Sequence, residues 1–489
     1  MKLNKTLANN LPNFRPPVVT ILGHVYHGKT SLLDAIRQTN VAAREAGGIT
    51  QHTAAYQITF KDRKITFIDT PGHAAFSEMR VRGGKIADII ILVVSVPDGV
   101  QPQTVEAISH AKAAGVPIVV ALNKIDLPGV AENLDKVKQQ LSEQNLLLES
   151  WGGSVVSVEV SAKTKQGLPE LLDVLLLLAD LAELKVDPAA PFEGVVVESR
   201  LDSKKGLLAQ IICRAGQLTI GQKIYTGAIE SKVRALLNDH SEPITKAVAG
   251  DPVTILGFVS LPAVGTVVTS APQTEGTAVG EGTTSPVVAK EGVTTLRVVL
   301  KSDTQGTLEA ISAALIKLAK PDRQVVVVNK GLGDITDSDL LLASGSNALV
   351  LGFNARVTDS VVNKAHDLKV AVKTYSVIYE MLEAMEKILA EQTLPVEDTA
   401  KGRAEVIALF HLPSGDIVAG CKVTKGRFKT GEKIKVLRRD TPEPVYTGHL
   451  KNIKEGKTEV QLVTAGKECG FLLRPLFLTI QKGDILEVV

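Results

Sequence analysis

One stretch near the start of the chain constrains it more than any other: Gly23-His24-Val25-Tyr26-His27-Gly28-Lys29-Thr30. An apolar, β-branched run, Val18 to Leu22, leads into it, and Ser31 to Ile36 after it reads as a helix. Strand, G-x-x-x-x-G-K-T, helix is a phosphate-binding loop in the context the pattern requires. Successive backbone N–H groups line one concavity, and the helix N-terminus adds the positive end of its dipole, so a polyphosphate is held there. Gly28 permits close backbone approach, Lys29 would neutralise the outer phosphates, and the Thr30 hydroxyl would ligate Mg²⁺. A nucleoside triphosphate is the expected ligand.

The length, 489 residues, suggests three to four domains. Aromatic residues make up only 4%, which argues against base-stacking platforms as the main nucleic-acid contact. No uncharged apolar run reaches about 18 residues, so no membrane span is expected, and the first residues show no secretory pattern. Cys213, Cys421 and Cys469 are too few and too scattered for a disulfide framework or a zinc site, which fits a reducing cytoplasm. The net charge of +2 is uneven: Lys401 to Val489 carries 16 basic and 10 acidic side chains. A basic terminal domain is suited to phosphate, and a solvated basic face is the plainer alternative.

From residue 16 to 186, apolar strands alternate with helical stretches, as in an α/β domain with a largely parallel sheet. Ligands of such sheets bind at the C-terminal ends of strands, and the polar motifs fall there. Asp69-Thr70-Pro71-Gly72-His73 follows the strand through Ile65 to Ile68. Asp69 would hold Mg²⁺ through water, Gly72 would offer its N–H to the γ-phosphate, and His73 would lie near an attacking water. Asn123-Lys124-Ile125-Asp126 follows another strand. The Asp126 carboxylate matches the N1–H and exocyclic amine of guanine, which adenine lacks, a mismatch worth discrimination on the order of 10⁴. Asn123 is expected on the base edge, the Lys124 stem on its face, and Ser161-Ala162-Lys163 would supply a backbone N–H to the guanine oxygen. GTP is therefore expected rather than ATP. Between these motifs, Arg44 to His52 is a glycine-bearing loop in which Thr50 would cap Mg²⁺ when a γ-phosphate is present.

Together with Glu45-Ala46-Gly47-Gly48-Ile49-Thr50-Gln51-His52, these motifs resemble bacterial translation initiation factor two, a translational GTPase family. The resemblance runs from about Pro16 to the C-terminus. It implies an α/β P-loop GTPase domain (16–186) after a flexible lead-in (1–15), then a β-barrel (187–270). A Gly/Thr/Ser-rich linker (271–292) stands where the family carries a longer charged helix. A second α/β layer domain (293–375), a connecting helix (376–395) and a C-terminal β-barrel (396–489) complete the chain. Ser376 to Thr393 has helical apolar spacing, read either as the family's spacer helix or as an ordinary core helix. Gly331-Leu332-Gly333 lacks the further glycine and the lysine of a phosphate loop and reads as turn chemistry.

The resemblance also implies GTP hydrolysis stimulated by the ribosome and binding of formylmethionyl initiator tRNA. Small and large ribosomal subunits and other initiation factors are the implied partners, and a monomer is implied. Cys421, Glu468, Cys469 and Gly470 match positions lining the family's formylmethionyl pocket, and Lys451 and Lys454 match basic positions of its recognition loop. Asn452 and Ile453 depart from the basic-aromatic pair usual there. Tyr26 stands where the family has an aspartate thought to assist a monovalent cation such as K⁺. A phenol ionising near pH 10 cannot supply that charge, so slower or less K⁺-dependent hydrolysis is expected. A nucleotide-dependent scaffold with weak turnover and a specialised tRNA-delivering elongation factor are the alternatives. The early start of the GTPase motifs suggests a short form or a truncation.

Overall fold

The β-branched, apolar runs of the first domain pair with one another in one sheet. A computed structural model describes residues 14–39, 49–72, 74–187, 189–272, 293–391, 402–411, 417–438, 444–455, 458–464, 466–475, 477 and 479–488. Val18–Gly23 (β1) is buried at every position and lies between Arg63–Asp69 (β3) and Ile89–Ser95 (β4), parallel to both. Ile118–Asn123 (β5) and Val156–Glu159 (β6) extend the parallel sheet beyond β4. An edge strand not expected from the sequence, Ala54–Phe60 (β2), pairs antiparallel with β3. Its alternation is weak, and only its pairing places Ala55 and Tyr56 inside. Helices Lys29–Arg37 (α1), Ser77–Ile86 (α2), Pro102–Ala114 (α3), Val130–Glu143 (α4) and Leu168–Leu181 (α5) complete this domain. Its sheet is covered on both faces, as a parallel sheet must be.

Glycine turns then break the chain into antiparallel strands. Glu193–Asp202 (β7) and Gly206–Ala215 (β8) pair at the centre of an eight-stranded sheet that forms the first β-barrel, around Val196, Ile211 and Val253. The second α/β domain has four parallel strands, in the order 323–332, 294–302, 349–353, 372–375. Gln305–Lys317 (α6) and Ile378–Glu391 (α9) pack on one face. Asp337–Ser346 (α7) and Asp359–Asp367 (α8) pack on the other. The connecting helix is thus a core helix of this sheet: Ile378, Met381, Met385 and Leu389 on α9 are buried against Leu296, Val298 and Leu351. Each such side chain contributes roughly 1.5–3 kcal/mol, which favours docking over a free spacer. Phe76 and Met79 of the first domain belong to the same apolar cluster.

The chain divides into two compact units, Met1–Leu394 and Pro395–Val489. In the second, six strands close on themselves in the order 402–411, 485–488, 433–437, 446–455, 468–474, 417–429, and the last pairs back with the first. Most of the 271–292 linker, the chain between α9 and this barrel, and most of the lead-in lie outside the described residues.

Candidate functional site

β1 ends at Gly23, and the chain makes one tight turn, Val25–His27, before α1. The His24 ring accepts a hydrogen bond from the Tyr26 N–H at 3.3 Å and holds the turn. Gly28 caps α1 at φ 84°, and a Cβ there would sit 2.6 Å from the Asn123 amide nitrogen, so only glycine fits. Gly28 has no side chain with which to cap this helix end, and among the described residues its first N–H groups are left to the loop. His27 is fully buried, and burial pulls its pKa down to about 4. Its neutral ring therefore donates from Nδ1 to the Val93 carbonyl at 3.2 Å. Tyr26, in contrast, is 67% exposed.

Lys29 folds back across the loop: its Nζ donates to the His24 carbonyl at 2.7 Å. The Gly72 backbone packs directly against that ammonium, so a side chain at 72 would displace it. Burial lowers the Lys29 pKa to about 8, and the Asp69 charge opposes the shift. Asp69, at the end of β3, is pushed up to about 7 by burial, against the pull of Lys29 and a hydrogen bond from Thr50. The two threonines expected at the metal meet here, with Thr30 Oγ1 and Thr50 Oγ1 2.6 Å apart. Thr50 Oγ1 in turn lies 3.3 Å from Asp69 Oδ2. Asp69 Oδ1 is buried with no hydrogen-bond partner among the described residues. Three hard oxygens, together with this unsatisfied one, form a donor set suited to Mg²⁺. His73 and Glu45 to Gly48 lie outside the described residues.

At the other end of the site, Asn123 links two loops. It is buried at the end of β5, where Nδ2 donates to the His27 carbonyl at 2.9 Å and Oδ1 accepts the Ala162 N–H at 3.2 Å. Asn123 is a strut between the phosphate loop and the Ser161-Ala162-Lys163 turn. The Ala162 N–H, in the turn expected to face a guanine oxygen, donates to that strut. Asp126 is exposed and is oriented by the buried Ser161 hydroxyl, which donates to Oδ1 at 2.7 Å. Lys163 is exposed. Lys124 has a left-handed backbone and an ion pair with Asp98 at 2.8 Å that fixes its stem.

Two further residues, Asp98 and Arg80, escape the motif reading. For Asp98 the available signal is its place, just past the end of β4. Arg80 gives none: it reads as a solvated helix residue, yet it is 1% exposed, pairs with Glu106 at 2.7 Å and donates to the Pro71 carbonyl at 3.3 Å. It thereby props the Asp69–Gly72 turn from below.

In the C-terminal unit, Cys421 and Cys469 are direct cross-strand partners, as are Gly420 and Gly470, and Lys422 and Glu468. They flank a cavity of about 500 Å³ that Cys421, Lys454, Glu468, Cys469 and Gly470 line together with apolar side chains such as Phe410 and Val418. Burial pushes the Cys469 thiol up to about 12 and the Cys421 thiol well above its ordinary value, so both sulfurs are neutral. Lys451 lies outside this cavity. It occupies a register irregularity in the strand 446–455, which carries the positions expected on a recognition loop. Ile453 on the same strand is buried in the barrel core.

Residues 15–180 match the elongation factor Tu GTP binding domain, 191–271 match elongation factor G domain 2, and 278–386 match translation-initiation factor 2. Translation initiation factor IF-2 of Rubrobacter xylanophilus is 43% identical across 97% of this chain and 71% of its own length. That of Halothermothrix orenii is 42% identical across the same shares. The chain belongs to the translation initiation factor IF-2 family. The IF-2 of Moorella thermoacetica is 44% identical across 97% of this chain and 54% of its own length, so the chain spans about half the length of several curated IF-2 relatives it matches.

Proposed function

We propose that this chain binds GTP with Mg²⁺ between the phosphate loop and the Asp126 turn, and that it hydrolyses GTP on the ribosome during translation initiation. The observation that carries the reading is the convergence of Thr30, Thr50 and Asp69 beside the buried Lys29 ammonium. Bound Mg²⁺ would supply charge stabilisation between the outer phosphates. The α1 N-terminus and the Gly23–Gly28 backbone hold the phosphates, and Lys29 offsets the charge that develops on the transferred phosphoryl group. Gly72 gives its N–H to the γ-phosphate, and His73 positions the attacking water. Asp126, held by Ser161, selects guanine, and Lys124, held by Asp98, covers its face.

The C-terminal cavity, apolar with neutral thiols and a lysine at its edge, suits the formylmethionyl end of initiator tRNA. On this reading the small and large ribosomal subunits and other initiation factors are partners, and the protein acts as a monomer in the cytoplasm. A second reading, a scaffold with weak turnover, rests on Tyr26, whose exposed phenol supplies no carboxylate to the loop for K⁺.

Hydrolysis measured with purified protein, alone and with both ribosomal subunits, in K⁺ and in Na⁺ buffer, tests both readings. Strong stimulation by the subunits together, for GTP and not ATP, is the expected result. Tight GTP binding without stimulation would favour the scaffold.

A further inference from the structure

Thr50 is one of the expected metal donors, and the residue after it makes a long-range clamp within the first unit. Gln51 is 4% exposed. Its Nε2 donates to the Ser376 carbonyl at 2.9 Å, and its Oε1 accepts the Ile378 N–H at 3.0 Å. Both partners are backbone atoms at the start of α9. The Ile378 N–H is one of the groups a helix cannot satisfy within itself, so Gln51 caps α9 from another domain. A carboxamide is the side chain that can donate and accept at once along one short edge. Aspartate or glutamate could only accept, and a charge at this depth would face the Ser376 carbonyl.

The neighbouring residue is held less firmly. His52 meets Thr307, Asp303 and Asn354 at 3.3–3.4 Å, with a third of its side chain open to solvent. Ile49, Thr50 and Thr53 are buried around the clamp. The segment that presents Thr50 to Thr30 and Asp69 is thus pinned through Gln51 to a helix of the second α/β domain.

We propose that Gln51 is a positioning residue for the metal site: its grip on residues 376 and 378 holds Thr50 Oγ1 within reach of Thr30 and Asp69. The inference rests on the Mg²⁺–GTP reading of the site. Without the clamp, the metal must order this segment itself and binds more weakly. By linkage, whatever affinity the clamp gives the metal, the metal returns to the docking of α9.

The test uses the whole chain and three variants: Gln51→Met, which keeps shape and loses both hydrogen bonds; Gln51→Asn, one methylene too short to make both; and Arg82→Ala. The last breaks the 2.6 Å Arg82–Glu309 ion pair at the same domain boundary and leaves the clamp in place. Mg²⁺ is titrated into protein with a fluorescent GTP analogue, and hydrogen exchange of residues 49–53 is followed without nucleotide or metal. Both Gln51 variants should raise the Mg²⁺ midpoint on the order of tenfold, the loss expected from about one net buried hydrogen bond. They should also speed exchange of that segment, with Mg²⁺-free GDP affinity within about twofold of wild type. Arg82→Ala should leave the midpoint unchanged. Unchanged midpoints in the Gln51 variants, or an equal shift in Arg82→Ala, would overturn the proposal. A wild-type protein whose GTP binding ignores Mg²⁺ would instead overturn the reading on which it rests.

Discussion

The nucleotide site and the C-terminal cavity solve the burial of chemistry in opposite ways. Around Lys29 and Asp69, two ionisable groups are taken out of water, and their pKa values are pulled toward neutral pH, to about 8 and about 7. One carboxylate oxygen lacks a partner among the described residues. The site is electrostatically incomplete, and a cation with a polyanion would complete it. The C-terminal cavity carries neutral thiols and glycines on paired strands, and its lining includes two charged side chains, Lys454 and Glu468. Its capacity to bind lies in shape and dispersion. A site of the first kind concentrates its energy in single residues; a site of the second spreads it thinly.

The largest expected effect tests that concentration. Lys29→Ala removes the ammonium from the loop and leaves the Asp69 carboxyl buried beside a void. GTP hydrolysis in the presence of ribosomal subunits should fall by about 10²–10³, the usual loss for one transition-state donor in a buried site. Single-turnover hydrolysis measures it. A loss below about tenfold would mean that backbone amides alone carry the phosphate charge, and the contrast with the C-terminal cavity would weaken.

A second effect of intermediate size lies where three domains of the first unit meet. Glu198 on β7 is buried, accepts the Gly306 N–H at 3.0 Å at the start of α6, and accepts the Ser199 N–H at 2.8 Å. Burial raises its pKa from 4.5 to about 7. The folded state therefore holds a proton that the unfolded chain releases, so Glu198's contribution to stability is full below about pH 4.5 and is lost as pH rises through about 7. The amplitude is roughly 3 kcal/mol. Thermal unfolding of wild type and Glu198→Gln, followed from about pH 5 to about pH 7.5, should show wild type losing stability with rising pH and the glutamine variant flatter. Parallel curves would show that the carboxyl is ionised throughout. The C-terminal thiols, raised far above this range, should contribute no slope.

This contrast also decides what the sequence reveals. A phosphate loop requires fixed residue types at fixed spacing, so Gly28, Lys29, Thr30, Asp69 and Thr50 are legible from the sequence alone. The strand periodicity likewise places β1, β3, β4 and β5. Asn123 shows the limit: its residue type is legible, but its partners His27 and Ala162 depend on which strand ends lie side by side. Gln51 and Arg80 are further out of reach, since their partners lie on other elements, and for Gln51 in another domain. The apolar face of α9 is plain from its spacing, whereas the sheet it covers is not. The cavity near Cys421 is a product of cross-strand register, and only resemblance points to it.

The smallest effect belongs to that cavity. Cys421→Ala deletes one fully buried sulfur that makes a weak polar contact, at 3.4 Å, with the Ala419 carbonyl. The barrel should lose about 1 kcal/mol of stability, the ordinary cost of one heavy atom removed from a packed core. Binding of a formylmethionyl ester, measured by competition with initiator tRNA, should weaken by about three- to fivefold, because the remaining lining keeps most of the contact area. Lys29 and Cys421 are comparably buried, so the comparison holds burial fixed and varies only the kind of interaction. A loss of about a hundredfold at Cys421 would show that the sulfur makes a directed contact with the ligand, and the cavity would then have to be grouped with the nucleotide site.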